Sequence, residues 1–138
     1  MSDMSDEIRA RNRTLRWVRE NTSWVRAEAL DAGQREAWKR GRQVFSVVYR
    51  GAELFPSYLF IDIEGQLQPR PSIRLVLGAL GPDHEAWALA AWFIAANAWL
   101  VDRDGSDARC ISPTEALERG LDDRVVQAAK RNATSYVA

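Results

Sequence analysis

Ala86-Trp-Ala-Leu-Ala-Ala-Trp-Phe-Ile-Ala-Ala-Asn-Ala-Trp-Leu-Val101 is the stretch on which the fold turns, apolar over all its 16 residues except Asn97. Laid out at 100° per residue, Leu89, Trp92, Phe93, Ala96, Trp99 and Leu100 form one stripe. Trp87, Ala90, Ala91, Ile94, Ala98 and Val101 form a second. A surface helix carries a single apolar stripe, so a helix greasy on both sides must be covered on both. Two coverings satisfy this. In one, the segment is the central helix of a bundle, wrapped by residues 71–80, 112–120 and 121–131. In the other, one face packs inside the domain and the second meets a partner chain, where tryptophans contribute disproportionately to binding. At 16 residues the run falls short of the roughly 18–20 that span a bilayer. The opening Met1-Ser-Asp-Met-Ser-Asp-Glu7 carries no basic leader. A soluble, cytoplasmic protein is expected.

Upstream of this run, Gly81-Pro82 breaks the chain, and Pro82 suits the first turn of a helix reaching to about Leu100, roughly 28 Å long. Before the break, Ile73, Val76, Leu77 and Leu80 share one face of a helix starting at Pro71 or Ser72. Glu64 to Pro71 reads as a loop from its Gly and Pro content. Val44-Phe-Ser-Val-Val-Tyr49 reads as a strand, Arg50-Gly51 as a turn, and Glu53 to Phe60 as the return strand. Further back lie Asp6–Glu20, with Ile8, Leu15 and Val18 on one stripe, then Trp24–Leu30, a turn at Asp31-Ala-Gly33, and Gln34–Arg40 ended by Gly41. Downstream, Asp102–Asp107 is an acidic loop, Ser112-Pro113 caps a short helix ending at Gly120, and Leu121–Arg131 forms the last helix. The expected fold is mainly α. Residues 1–62 hold short helices, with a helix-turn-helix over Trp24–Arg40, and a β-hairpin. Residues 63–138 close as a C-terminal helical bundle.

The chain has 138 residues, 46% hydrophobic, with 19 basic and 19 acidic side chains, a composition that excludes disorder as the dominant state. The balance conceals a split. Residues 1–50 carry 11 Lys/Arg against 7 Asp/Glu, a net of +4, and residues 51–138 carry 8 against 12, a net of −4. A basic head on an acidic body suits a head that meets phosphates and a body that meets something else. Chemistry-bearing patterns are missing. His84 is the only histidine and Cys110 the only cysteine, so neither a metal cluster nor a Cys–His pair is expected. The Asp62/Glu64 and Asp122/Asp123 pairs read as solvated surface. Glycine-rich phosphate loops and the Gly-x-Ser-x-Gly elbow do not occur. The expectation is a protein that is not an enzyme and uses no cofactor.

In order, Phe55-Pro-Ser-Tyr-Leu-Phe60, Gly65…Pro69, Ile73…Val76-Leu77…Leu80, Trp87…Ala90-x-Trp92-Phe93…Asn97…Leu100 and Pro113…Leu117 resemble the toxin-binding domain of the Xre/MbcA/ParS-type antitoxins. The resemblance covers about residues 42–131. It implies the inhibitory half of a type II toxin–antitoxin pair, whose usual partner is a RES-domain toxin that consumes NAD or uses it to modify proteins. Such an antitoxin docks its C-terminal domain over the toxin's active site, and the complexes are often oligomeric. By position, Trp87, Trp92, Phe93, Asn97 and Leu100 are the domain signature, with Trp99 in the same block. Arg124, Lys130, Arg131 and the tail after them reach toward the toxin. The chain departs from the family pattern at Leu59, where Gln is usual, and at Ile61, where Asp is usual. It also departs in the long connection from Val101 to Ile111. The family's N-terminal helix-turn-helix binds the operon's own promoter. The alternative reading is therefore a DNA-binding regulator without a toxin, using Arg35, Lys39, Arg40, Arg42 and Arg50. A third is a helical domain that only forms homo-oligomers.

Overall fold

Two of the expected helices give way, one wholly and one in part, to strands and turns, and this sets the architecture. The computed structural model describes residues 3–102 and 108–135. Helix α1 (Asp3–Glu20) leads into β1 (Trp24–Arg26), a 3-10 turn over Ala27–Ala29, and α2 (Ala32–Arg40). Strands β2 (Val47–Tyr49) and β3 (Ala52–Pro56) follow, then a second 3-10 turn and the hairpin β4 (Phe60–Ile63) and β5 (Gln66–Pro69). The remainder is α3 (Pro71–Leu80), α4 (Ala86–Ile94), β6 (Val101–Asp102), β7 (Arg109–Cys110), α5 (Pro113–Glu118) and α6 (Asp122–Ser135). The described residues thus form six α-helices and seven strands, the strands in three small antiparallel sheets. The expectation of a mainly α chain ending in a helical bundle is overturned. The fold is mixed α/β.

The N-terminal difference lies at Trp24–Leu30. These residues do not form the first helix of a helix-turn-helix. Trp24, Val25 and Arg26 instead pair with Pro56, Phe55 and Leu54 of β3. Seven residues are too few to hold a helix unaided, and an aromatic beside a β-branched residue fits a pleated, half-buried surface. β3 is therefore central in a sheet ordered β1-β3-β2, with Val47 opposite Leu54 and Tyr49 opposite Ala52. Arg50 (φ 51°) and Gly51 (φ 78°) make the two-residue turn between them, both left-handed as the tight hairpin turn demands. The segment expected as a loop is likewise a hairpin. Glu64 (φ 53°) and Gly65 (φ 83°) turn it, and the Asp62 carboxylate accepts the Gly65 N–H at 2.8 Å.

The second difference is in the decisive stretch itself. Helix α4 runs only nine residues and ends at Ile94, because Ala95 is extended and Asn97 builds a turn. The Asn97 Oδ1 accepts the Trp99 backbone N–H at 2.9 Å. The Asn97 N–H donates to the Ile111 carbonyl at 3.0 Å, and the Ile111 N–H donates to that of Leu100 at 2.8 Å. These bonds open the β6–β7 ladder. The centre of the long connection, residues 103–107, and the final residues 136–138 lie outside the described residues.

Elsewhere the apolar spacing fixes the packing. Ile73, Val76, Leu77 and Leu80 of α3 are buried, as are Val125, Ala128 and Ala129 of α6. Each large aliphatic so covered contributes about 1.5–3 kcal/mol relative to exposure. The Ser72 hydroxyl donates to Asp122 Oδ2 at 2.6 Å and ties the two helices at their starts. Ser112 caps α5 by accepting the Glu115 N–H at 3.2 Å. Apart from Val47, the buried hydrophobic residues form one cluster running from Val18 to Ala129, and the 62/63 boundary falls inside β4. Of α1, Val18 is fully buried and Leu15 half-buried, whereas residues 4–14 are exposed, and Arg11 meets Glu85 at 2.7 Å. No helix among the described residues is long and apolar enough to cross a membrane.

Candidate partner-binding surface

The signature residues of the decisive stretch divide by what covers them. Phe93 and Leu100 are fully buried. The Phe93 ring stacks on Tyr58 at 5.0 Å and on Phe45 at 6.0 Å, and Trp92 meets it edge-on at 5.1 Å. Burial pushes the Tyr58 hydroxyl well above the ordinary tyrosine value. Trp87 is half-buried, edge-on to Trp24 at 5.8 Å and to Tyr49 at 6.4 Å. These contacts place Trp87, Trp92, Phe93 and Leu100 against their own chain, and Asn97 in the turn that ends α4. Trp99 differs. It is 50% exposed, and the Arg131 guanidinium lies 5.1 Å from its ring centre.

Two cations of α6 stand near Trp99, Arg131 over its ring and Arg124 against the Val101 carbonyl. Arg124 is exposed on α6 and donates to the Val101 carbonyl at 3.1 Å, and Lys130 is exposed one turn and a half further on. Behind them a charge network fixes β6–β7 to α5. Arg109 meets Glu115 at 2.9 Å, Arg119 meets the same carboxylate at 2.9 Å, and Arg119 meets Asp102 at 2.9 Å. Only the Glu115–Arg119 spacing, four residues along one helical turn, was a sequence cue to this network. Its long-range members depend on how the Val101–Ile111 connection folds back.

The basic candidates in the head are placed otherwise. Arg35 Nη1 donates to the Ala27 carbonyl. Lys39 bridges Glu36 at 3.0 Å and Glu53 at 2.8 Å. The Glu53 and then the Glu36 carboxylates hold the Lys39 ammonium above its ordinary 10.5. Lys39, then the Ser46 hydroxyl, hold Glu53 below its ordinary 4.5. Arg42 reaches across the molecule to the carbonyls of Leu77 and Gly81, both at 3.1 Å. Arg40 and Arg50 are exposed. Three of the five thus carry internal bonds, and the helix pair expected to present them is absent.

Among the described residues no three His, Cys, Asp or Glu side chains stand close enough to hold a metal ion. The His84 ring bonds the Leu80 carbonyl at 2.9 Å, and Cys110 is exposed on β7. What the Trp99 surface can do chemically is bind. It offers an exposed indole, cations and a rigid support. Comparison of the chain with protein-family models, with curated proteins and with solved structures finds no match.

Proposed function

We propose that the chain is the antitoxin of a toxin–antitoxin pair and neutralises a RES-type toxin by covering its active site with the surface around Trp99, Arg124, Lys130 and Arg131. Two things support this reading: the ordered motif set over residues 42–131, and the position of Trp99. A half-exposed indole held under Arg131 on a braced turn is the kind of group that anchors an interface. A blocker of this kind needs complementarity and no catalytic group, and the cations around Trp99 would speed encounter with an acidic rim more than they add affinity. Promoter binding is left out of the proposal, since the helix-turn-helix that would carry it is not formed.

The test is co-expression with the product of the neighbouring reading frame, which this reading requires to be a RES-type toxin. The toxin alone is expected to arrest growth and this chain to restore it. Trp99→Ala should keep the thermal transition of the parent yet weaken the purified complex about 30-fold or more, as loss of a hot spot of at least about 2 kcal/mol implies. Absence of rescue by the parent chain, or undiminished binding by Trp99→Ala together with Arg131→Ala, overturns it.

A further inference from the structure

Away from the Trp99 surface, a cleft of about 420 Å³ opens between α1 and the β2–β3 hairpin. Arg16, Arg19 and Arg50 converge on it, with Tyr49, Val48 and Trp87 as apolar walls. Arg16 and Arg19 sit one turn apart on α1 and so project to the same side. The Tyr49 ring holds two of the guanidiniums, Arg19 at 4.7 Å and Arg50 at 5.2 Å from its centre. No carboxylate lines the cleft, and among the described residues none of the three arginines meets an acidic side chain. Arg50 occupies a left-handed turn position (φ 51°) where Asn or Gly is the ordinary choice. Three like charges are therefore brought together with no acidic partner for them among the described residues.

From this geometry we infer that the cleft binds a nucleoside phosphate, with Arg16, Arg19 and Arg50 on the phosphate oxygens and the base against Val48 and Trp87. Guanidinium forks match phosphate oxygens with paired, charge-assisted hydrogen bonds, and all three cations are arginine where lysine would serve as a mere point charge. A carboxylate offers too few acceptors and too little charge for three forks. The size of the cleft and its mix of apolar walls with a few converging polar groups fit a small ligand of this class. The exposed Val48 side chain and the half-buried Trp87 indole supply a surface that inorganic phosphate would leave bare. The inference does not depend on the toxin reading, and its ligand is read in the absence of any toxin.

The full-length chain is titrated calorimetrically with ADP, pyrophosphate and adenosine, with indole fluorescence followed in parallel. ADP should bind saturably, pyrophosphate more weakly, and adenosine not measurably. Arg19→Gln and Arg50→Gln should each weaken ADP about tenfold, the loss of one charge-assisted contact, while Arg74→Gln on α3 leaves it unchanged. Unaltered circular dichroism of the two cleft variants separates lost contact from lost fold, and Arg16→Gln provides a further variant where either is unstable. No saturable ADP binding, equal binding of adenosine, parent-like affinity in the cleft variants, or binding of a single-stranded oligonucleotide without ADP would each overturn the assignment.

Discussion

Glu53 shows how one side chain ties separate pieces of this chain together. It lies on β3, accepts from Lys39 of α2 at 2.8 Å, and accepts from the Ser46 hydroxyl at 2.7 Å. Both partners favour its charged form, so its folded pKa lies below the ordinary 4.5. A carboxylate depressed on folding stabilises the fold above its unfolded pKa, and that contribution is lost as pH falls through the folded value. Lys39 has the opposite sign: raised above 10.5, it stabilises below that value and ceases to as pH climbs through the folded one. Glu53→Gln should therefore cost about 1 kcal/mol near neutrality, a charge-assisted bond discounted for partial exposure. The gap from the parent should close in acid below pH 4.5 and narrow again in alkali above 10.5. Chemical denaturation at a series of pH values measures this; a pH-independent gap would refute it. The pair was invisible in the sequence, because 14 residues separate its members and their meeting depends on how α2 folds against β3.

Among the elements, the legible ones were those whose pattern and punctuation agree. Helix α3 starts at Pro71 and ends against Gly81, with the apolar spacing between them buried as expected. α5 likewise follows its Ser112-Pro113 start. The illegible ones depended on partners. β1 is three residues long and exists because β3 lies beside it. The apolar run after Ile94 fits a continuation of α4 by composition, since alanine and tryptophan are compatible with a helix. The competing turn hangs on one amide, Asn97. Removing that acceptor with Asn97→Ala should cost about 1 kcal/mol and lower the melting temperature by roughly 3 °C. Asn97→Asp, which keeps an oxygen in place, should retain most of the stability. Calorimetric melting of both variants decides it, and equal loss in the two would show that the side-chain oxygen is not what matters. At this scale the candidate surface was half legible: the stretch containing Trp99 was singled out, but the turn that lifts Trp99 from a helical stripe onto the outside was not.

For the whole molecule, the sequence reads as one domain or as a head joined to a body, with a charge split at residues 50/51 and a regional boundary at 62/63. Buried side chains from both sides of that boundary belong to one cluster. Phe55, Phe60, Leu77, Phe93 and Val125 belong to the same core, and Arg42 reaches the end of α3. A fragment of residues 63–138 would expose the face of α4 that Phe45 and Tyr58 now cover, and would lose Arg42 from the end of α3. It should therefore not fold alone, and the full chain should unfold in a single transition. Calorimetry of the full chain and proton NMR of the fragment check this; a dispersed fragment spectrum would show that the halves are independent. Sequence periodicity reports which face of an element is greasy, but it is silent on which other element meets that face, so the pairing of faces is legible only in the fold.

Residues 4–14 of α1 project beyond the core, with Met4 74% and Ile8 54% exposed and the Arg11–Glu85 pair as their tether. Little of the free energy of folding resides in those turns, so clipping them would leave the shared core standing while removing Arg9, Arg11 and Arg13. Such clipping would leave the net charge of the head at +4, because Asp3, Asp6 and Glu7 go with those three arginines, so the basic character of the head belongs to the folded part.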